Sequence, residues 1–137
     1  MFEDADIIHA YTRADALDDG TLIDGRRAEL ADVTDQHAPG VPVAMTAAVW
    51  TVIQEAVAHP LHRNDYRGVW HDILWMAQVR RAFAGRFTGE QLDAGIRRPF
   101  RVIITGTGRK KYHDMVATLG FGDDPTPVIT IAFADED

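Results

Sequence analysis

Six histidines are the side chains that most readily suggest chemistry, because neutral imidazole is a common zinc ligand. His59 and His62 are three residues apart, with Asp65 close by and the pair His71-Asp72 farther along the chain. Zinc needs three or four converging ligands, and this spacing matches no established ligand set. We therefore predict no metal site and expect the histidine pair to lie in an exposed loop.

Residues 106–111, Gly-Thr-Gly-Arg-Lys-Lys, place glycines beside basic side chains and could hold a phosphate. The segment lacks the G-x-x-x-x-G-K-[ST] spacing of a phosphate-binding loop, and the pattern after it predicts a strand instead of a helix. We therefore predict a hairpin turn with a basic tip.

The chain contains no serine and no cysteine. These absences exclude a Ser-His-Asp hydrolase, a cysteine nucleophile, a disulfide and a thiolate metal site. No other motif fixes a reaction, so we predict no catalytic residue and no cofactor.

The net charge of −7 is unevenly distributed along the chain. Residues 1–40 hold ten acids against three arginines, residues 59–111 hold eleven basic residues against four acids, and residues 112–137 hold six acids and no basic residue. In one interpretation the acidic ends fold against the basic middle and neutralise it. In the other, a charged face stays exposed and meets an oppositely charged partner.

Three tryptophans are candidates for a contact surface. Trp50 and Trp70 lie on apolar helix stripes and are expected in the core, whereas Trp75 is expected to be partly exposed and is the better interface candidate. The partner-binding residues that we predict are Asp15, Asp18, Asp19, Asp24, Trp75, Arg80, Arg81, Asp123 and Asp124. The basic segment 59–111 could alternatively bind nucleic acid, although the pI near 5.2 is well below the values typical of such domains.

The periodicity of apolar residues predicts one α+β domain over residues 1–137. The acidic part, 1–40, is expected to hold short strand and helix elements. The part 41–84 is expected to hold two main amphipathic helices, which pack on a three-stranded antiparallel meander formed by residues 99–134.

The expected boundaries of the elements follow from caps and breakers. Thr12 and Asp15 begin a short helix that Gly20 ends, and Thr46 caps the first main helix. The remaining expectations are a strand over 7–11, a strand or extended turn over 21–24, a helix over 26–37, the second main helix over 69–84, and a loop over 85–98.

No apolar run approaches the roughly 18 residues that a membrane helix needs. The first six residues are acidic and lack the basic region of a signal peptide. We expect a cytoplasmic protein without membrane contact, and the sequence leaves its oligomeric state open.

Four blocks of sequence carry a resemblance to a known family. Residues 11–24 read Y-T-R-A-D-A-L-D-D-G-T-L-I-D, and the others are P-V-A-M-T-A-A-V-W at 42–50, W-H-D-I-L-W-M-A at 70–77 and P-V-I-T-I at 127–131. With them, the chain resembles an uncharacterised family (a domain of unknown function) of small bacterial, phage and plasmid proteins. That family opens with Y-[ST]-R-A-x-A-[LI]-x-D-G-x-L-x-D, and the chain departs from it over residues 85–122.

The resemblance implies a context and no activity. Such proteins are similar to cargo of phages, plasmids and other mobile elements, and small acidic proteins in that setting often bind host defence machinery. Our leading hypothesis is a non-enzymatic binding protein of a mobile element. It would inhibit a host defence complex of the CRISPR or restriction type by protein–protein contact, with acidic segments that mimic nucleic-acid phosphate.

Two alternatives remain open. The segment 9–12 resembles the opening of some NAD-using transferases, so a small nucleotide- or NAD-using modifying enzyme would place His9, Tyr11 and Arg13 at its site. A DNA-binding regulator would instead use the basic segment 59–111.

Overall fold

A computed structural model describes residues 10–108 and 110–136 of the chain, and it confirms the α+β class. No helix in this described part is long and apolar enough to span a bilayer. The elements along the chain are α1 (Arg13–Asp19), β1 (Leu22–Asp24), α2 (Ala31–His37), β2 (Val43–Thr46), α3 (Ala47–Ala58), α4 (Tyr66–Ala77), α5 (Val79–Ala82), α6 (Gly89–Ala94), β3 (Ile96–Ile103), β4 (Tyr112–Phe121) and β5 (Pro127–Phe133).

The sheet has five strands in the order β1-β2-β5-β4-β3 and is mixed. β3, β4 and β5 pair antiparallel, β2 adds to β5 in parallel, and β1 pairs antiparallel with β2. The prediction of a three-stranded antiparallel meander is therefore wrong. The two added strands are short, and the parallel register aligns Val43 with Ile129, a distant pairing that no local pattern encodes.

Several predicted helix ends are confirmed by their hydrogen bonds. Thr12 and Asp15 form a capping box at the start of α1, and Gly20 ends that helix with a φ of 84°. The Thr46 hydroxyl accepts a hydrogen bond from the Val49 amide at the start of α3. These signals are local, and they are therefore readable from the sequence.

The second main helix differs from the prediction at both ends. α4 begins at Tyr66 because the Asp65 carboxylate caps it by accepting from the Gly68 amide at 2.6 Å. It ends at Ala77, since Gln78 adopts a left-handed conformation with a φ of 50° and α5 follows as a separate turn. The predicted single helix over 69–84 is therefore wrong at both ends.

Three other predicted elements need correction, and one of them lies partly outside the described residues. Residues 26–30 form turns, so the helix expected over 26–37 covers only α2. Most of the loop expected over 85–98 is structured, because Thr88 and Gln91 form a capping box for α6 and β3 already begins at Ile96. Of the strand expected over 7–11, residues 7–9 lie outside the described part and residues 10 and 11 are not in a strand.

The core lies on one face of the sheet, under α3 and α4. Alternate residues of β4 and β5 point into it and meet the apolar stripes of the two helices. The largest side chains that are fully buried there include Trp70, Met45, Ile53, Ile73, Leu74, Met115 and Ile131. Trp50 is also buried and stacks on Tyr66, so both tryptophans expected in the core are found there.

A buried polar chain ties α4 to α2 and to the turn after β1. The Trp70 indole Nε1 donates to the Thr34 hydroxyl at 2.8 Å, and that hydroxyl donates to the Gly25 carbonyl. Gly25 in turn approaches β2 so closely that a Cβ there would lie 2.7 Å from the Val43 carbonyl oxygen. Only glycine fits this approach, which fixes α2 against the sheet.

Candidate functional site

Four large apolar side chains stay exposed at one edge of the sheet. Trp75 and Met76 come from α4, Ile103 from β3 and Tyr112 from β4, with exposed fractions of 58%, 48%, 55% and 56%. They line a groove of 370 Å³ together with Asp72, Arg101 and Val102. We call these four residues the Trp75 face. Contiguous exposed apolar surface of this kind marks interaction sites in many proteins.

The Trp75 face is held in position by the sheet register. Ile103 and Tyr112 are direct partners across β3 and β4, at the end of the antiparallel pair. Arg101 lies over the Tyr112 ring, 5.8 Å from its centroid, and its Nε donates to Asp114 at 2.7 Å. This hydrogen bond holds the pKa of Asp114 below its ordinary value. Arg101 thereby connects the edge strand to both Tyr112 and Asp114 on β4.

Two histidines pack behind Trp75. His37 Nε2 lies 2.9 Å from His71 Nδ1, and the Trp75 ring is 6.4 Å from the first imidazole and 6.0 Å from the second. Burial lowers the pKa of His37, and the charges of His71 and Arg80 lower it further. His37 from α2 and His71 from α4 thus both contact the exposed tryptophan.

Basic residues lie next to two members of the Trp75 face, Trp75 and Tyr112. Arg80 and Arg81 line an adjoining cavity of 200 Å³ that Trp75 also lines. Lys110 and Lys111 are exposed directly before Tyr112. Three of the predicted partner-binding residues, Trp75, Arg80 and Arg81, are therefore brought together.

The predicted acidic partner residues form a second group at a different place. Asp15, Asp18 and Asp19 lie on α1, and Asp123 in the β4–β5 turn accepts from the Arg13 and Ala14 amides at 2.7 and 2.9 Å. Asp24 is near enough to this group to raise the pKa of Arg13, as Asp123 does, against the larger lowering by burial.

Most of these carboxylates also serve local structure. Asp15 belongs to the capping box of α1, and Asp19 accepts from the Tyr11 hydroxyl at 2.5 Å, which raises the pKa of Tyr11 and lowers that of Asp19. Asp24 accepts from the Arg26 amide, and Asp124 from the Thr126 amide. Their roles in partner binding stay predictions.

Ion pairs join the basic middle of the chain to both acidic ends. Arg67 pairs with Asp32, and Arg101 pairs with Asp114. The hydrogen bond from Arg67 lowers the pKa of Asp32. The interpretation in which the ends neutralise the middle therefore holds for these two pairs. Within residues 10–108 and 110–136, Arg80 and Arg81 next to Trp75 form no ion pair.

The opposite face of the sheet holds a cleft of 620 Å³. Tyr11 and Arg13, two of the three residues that the enzyme alternative predicts, line it, whereas His9 lies outside the described residues. Sequence reasoning missed the strand residues Arg97, Thr118 and Thr130 of this cleft, and Glu136 after the last strand. The period-2 alternation along β4 and β5 places Thr118 and Thr130 on the face away from the core, and this pattern is readable from the sequence.

The histidines do not assemble as a metal site would require. His59 and His62 lie side by side with ring centroids 4.6 Å apart, but His71 faces His37. Among residues 10–108 and 110–136, no three histidine, aspartate or glutamate side chains come together. Residues 104–111 connect β3 to β4, as the predicted hairpin turn requires, with residue 109 outside the described part.

Comparison with known proteins gives one match. No curated protein and no solved structure matches the chain. The model of a family of unknown function, DUF6573, matches residues 1–76, more than half of the 137 residues, and this stretch extends from α1 to Trp75 and Met76 at the end of α4. The chain belongs to this family of unknown function, DUF6573.

Proposed function

We propose that the chain is a non-enzymatic binding protein that docks on another protein through the Trp75 face. The observation that carries the proposal is the exposure of Trp75, Met76, Ile103 and Tyr112 around one groove. Burying a tryptophan of this kind contributes more to protein–protein affinity than most other contacts. The groove is open to solvent and its edge is held by the Arg101–Asp114 pair, so it is ready to receive a partner.

The charges around the groove indicate the chemistry of the partner. Arg80 and Arg81 line a cavity next to the groove, Lys110 and Lys111 directly precede Tyr112 in the chain, and Asp72 is the acid that lines the groove. A complementary surface therefore has an apolar pocket for the Trp75 ring and carboxylates around it. We propose a protein with such an acidic rim as the occupant.

The way in which the partner binds follows from the edge strand. Among the described residues β3 pairs with β4 alone, and an outer strand edge of this kind is one at which proteins add a strand from a partner. Pro99 in the middle of β3 lacks an amide donor and interrupts that edge. We therefore expect docking through side chains instead of strand addition.

A finer proposal concerns the origin and target of the protein. We propose that it comes from a mobile element, acts in the cytoplasm and inhibits a host defence complex of the anti-CRISPR or anti-restriction type. The acidic ends and basic middle of the chain support this proposal. The carboxylates on α1 and in the β4–β5 turn support it too, because they form a group that suits a basic channel.

The experiment is a quantitative pull-down from host lysate with three tagged proteins: the wild type, Trp75→Ala and Leu61→Ala. Leu61 is 83% exposed and lies outside the Trp75 face, so its variant removes exposed apolar surface elsewhere. We expect a partner that the wild type and Leu61→Ala recover in stoichiometric amounts and Trp75→Ala loses. Equal recovery by all three proteins would overturn the proposal, as would recovery of further copies of this chain alone.

Acidic mimicry needs a separate variant, because Asp123 also holds α1. Asp18 is exposed on α1, and neutralising it together with Asp124 leaves the Asp123 contacts in place. If mimicry contributes, Asp18→Asn with Asp124→Asn weakens binding and reduces its salt dependence. Unchanged binding would restrict the interface to the Trp75 face.

The two alternatives stay predictions. The enzyme alternative gains from the position of Tyr11 and Arg13 in one cleft, and a thermal shift with NAD that is lost in His9→Ala would favour it. The regulator alternative predicts retention on DNA at low salt, although Arg67 and Arg101 are already paired with carboxylates.

A further inference from the structure

The cleft on the outer face of the sheet contains one row of polar side chains that crosses three strands. Arg97 on β3 is the direct partner of Thr118 on β4, and Thr118 is the direct partner of Thr130 on β5. All three line the cleft. Because neighbouring strands are about 4.8 Å apart, the row spans about 10 Å between the outer Cα atoms.

The Arg13 side chain contacts this row at its Thr130 end. Its Nη1 donates to the Thr130 hydroxyl at 2.7 Å, and its Nη2 donates to the Ile129 carbonyl at 3.0 Å. The backbone amide of Arg13 is itself held by the Asp123 carboxylate. The guanidinium is thus fixed over β5 by partners on its main chain and its side chain, and it does not have to be ordered by a ligand.

The row offers more hydrogen-bond donors than acceptors. A guanidinium has five N–H donors and a hydroxyl has one, and Arg13 directs the two bonds given above to neutral oxygens. In the part of the chain that the structure describes, neither the Arg97 guanidinium nor the Thr118 hydroxyl has a hydrogen-bond partner. Burial lowers the pKa of Arg13, and the charges of Asp123 and Asp24 raise it to a smaller extent.

The carboxylate on the cleft wall, Glu136, is engaged through one of its two oxygens. Glu136 Oε2 accepts from the Thr46 hydroxyl at 2.8 Å and from the Phe133 amide at 2.7 Å, at the strand end beyond Ala132. It therefore fixes the C-terminal segment to β2. The donors of Arg97, which is exposed, and of Thr118, which is half-buried, are therefore accessible to an acceptor from outside the chain.

We infer that this cleft binds a small molecule through a phosphate or carboxylate group placed between Arg97 and Arg13, over Thr118 and Thr130. Charge-assisted hydrogen bonds from two guanidiniums are the usual means by which proteins hold either group. The volume of 620 Å³ exceeds what a lone ion needs and suits a ligand of metabolite size. The cleft shares no lining residue with the groove at Trp75, so this inference does not depend on the proposed function.

The experiment is an NMR titration of the backbone amides, with inorganic phosphate and acetate as separate probes and sodium chloride at equal ionic strength as the reference. We expect saturable shifts centred on Thr118 and Thr130, and the probe with the lower Kd identifies the preferred group. Arg97→Gln is expected to weaken binding about tenfold, since it removes one charged donor. Thr118→Val keeps the shape of its side chain and is expected to weaken binding to a smaller extent.

Arg98→Gln is the matched control. It removes the same charge from the same strand, but the Arg98 side chain lies on the other face, where its Nε donates to the Ala82 carbonyl. Binding by Arg98→Gln should therefore equal that of the wild type. Shifts no larger than those with sodium chloride, or equal weakening by Arg97→Gln and Arg98→Gln, would overturn the inference.

Discussion

His37 on α2 and His71 on α4 share one hydrogen bond, with 2.9 Å between Nε2 of the first and Nδ1 of the second. One ring must donate and the other accept, so the bond exists only while at least one imidazole is neutral. Trp75 packs against both rings. The pair therefore links the position of the exposed tryptophan to the contact between two helices.

The histidines give the stability of the protein a defined pH dependence. Burial is the main cause of the lowered pKa of His37, and it likewise lowers the pKa of His113, which is 5% exposed. Above the ordinary value of 6.5 both are neutral in the folded and unfolded chain, and no stability is lost. As the pH falls below 6.5, the unfolded chain takes up protons that the folded chain binds less well, so stability falls.

Urea denaturation at pH 7.5 and pH 5.5 measures this effect. We expect a lower free energy of unfolding at pH 5.5, and a smaller difference in His37→Asn. The carboxylates with lowered pKa, such as Asp19 and Asp114, lose stability only near and below their ordinary values of 3.8, outside this interval. Equal stability at the two pH values would contradict the lowered pKa of His37 and His113.

Thr34→Val should be strongly destabilising although it conserves shape. It leaves the Trp70 indole N–H and the Gly25 carbonyl without their buried partner. We expect the free energy of unfolding to fall by about 2–4 kcal/mol. Thr51→Val, on the exposed side of α3, is the control and should change it by less than about 0.5 kcal/mol. A similar small effect at both positions would show that the buried chain contributes little.

Gly25→Ala tests the close approach between the turn after β1 and β2. A methyl group there lies 2.7 Å from the Val43 carbonyl oxygen and 3.3 Å from the Trp70 ring, so the turn must shift. We expect a loss of about 1–3 kcal/mol in thermal or chemical denaturation. Gly89→Ala, which meets nothing within 4 Å in α6, should instead be neutral or slightly stabilising. Equal stability of the two variants would refute the contact.

The local signals in the sequence were sufficient for much of the fold and for one part of the site. The helix ends at Thr12, Gly20 and Thr46 depend on neighbours within a few residues. The exposure of Trp75 follows from its position off the apolar stripe of α4. The parallel pairing of β2 with β5 joins residues about 85 apart in the chain, so no local pattern could predict it.

The donor row of the cleft was missed for the same reason. The sequence predicts a loop over residues 85–98, which includes Arg97, and the enzyme alternative groups Arg13 with His9 and Tyr11 and not with Arg97. The two come together only through the order of the strands in the sheet, which places β5 beside β4 and β4 beside β3. Functional sites formed across strands need the topology before their residues can be grouped.

Asp123→Ala should release α1 from the sheet. The carboxylate accepts from the Arg13 and Ala14 amides, so its removal leaves two donors at the start of the helix without a partner. We expect amide exchange in α1 to accelerate about tenfold and stability to fall by about 1–2 kcal/mol. Asp124→Ala, in the same turn and with the same loss of charge, should leave α1 protected. Equal exchange in the two variants would show that charge, and not this contact, holds the helix.

Calorimetry with the recovered partner tests the docking proposal most directly. It measures the affinity of the partner for the wild type and for Trp75→Ala, with Leu61→Ala as the control. We expect Trp75→Ala to lose about 2 kcal/mol of binding free energy, roughly a thirtyfold rise in Kd, while Leu61→Ala binds as the wild type does. A Kd for Trp75→Ala within about twofold of the wild type would contradict the assignment of the Trp75 face as the docking surface.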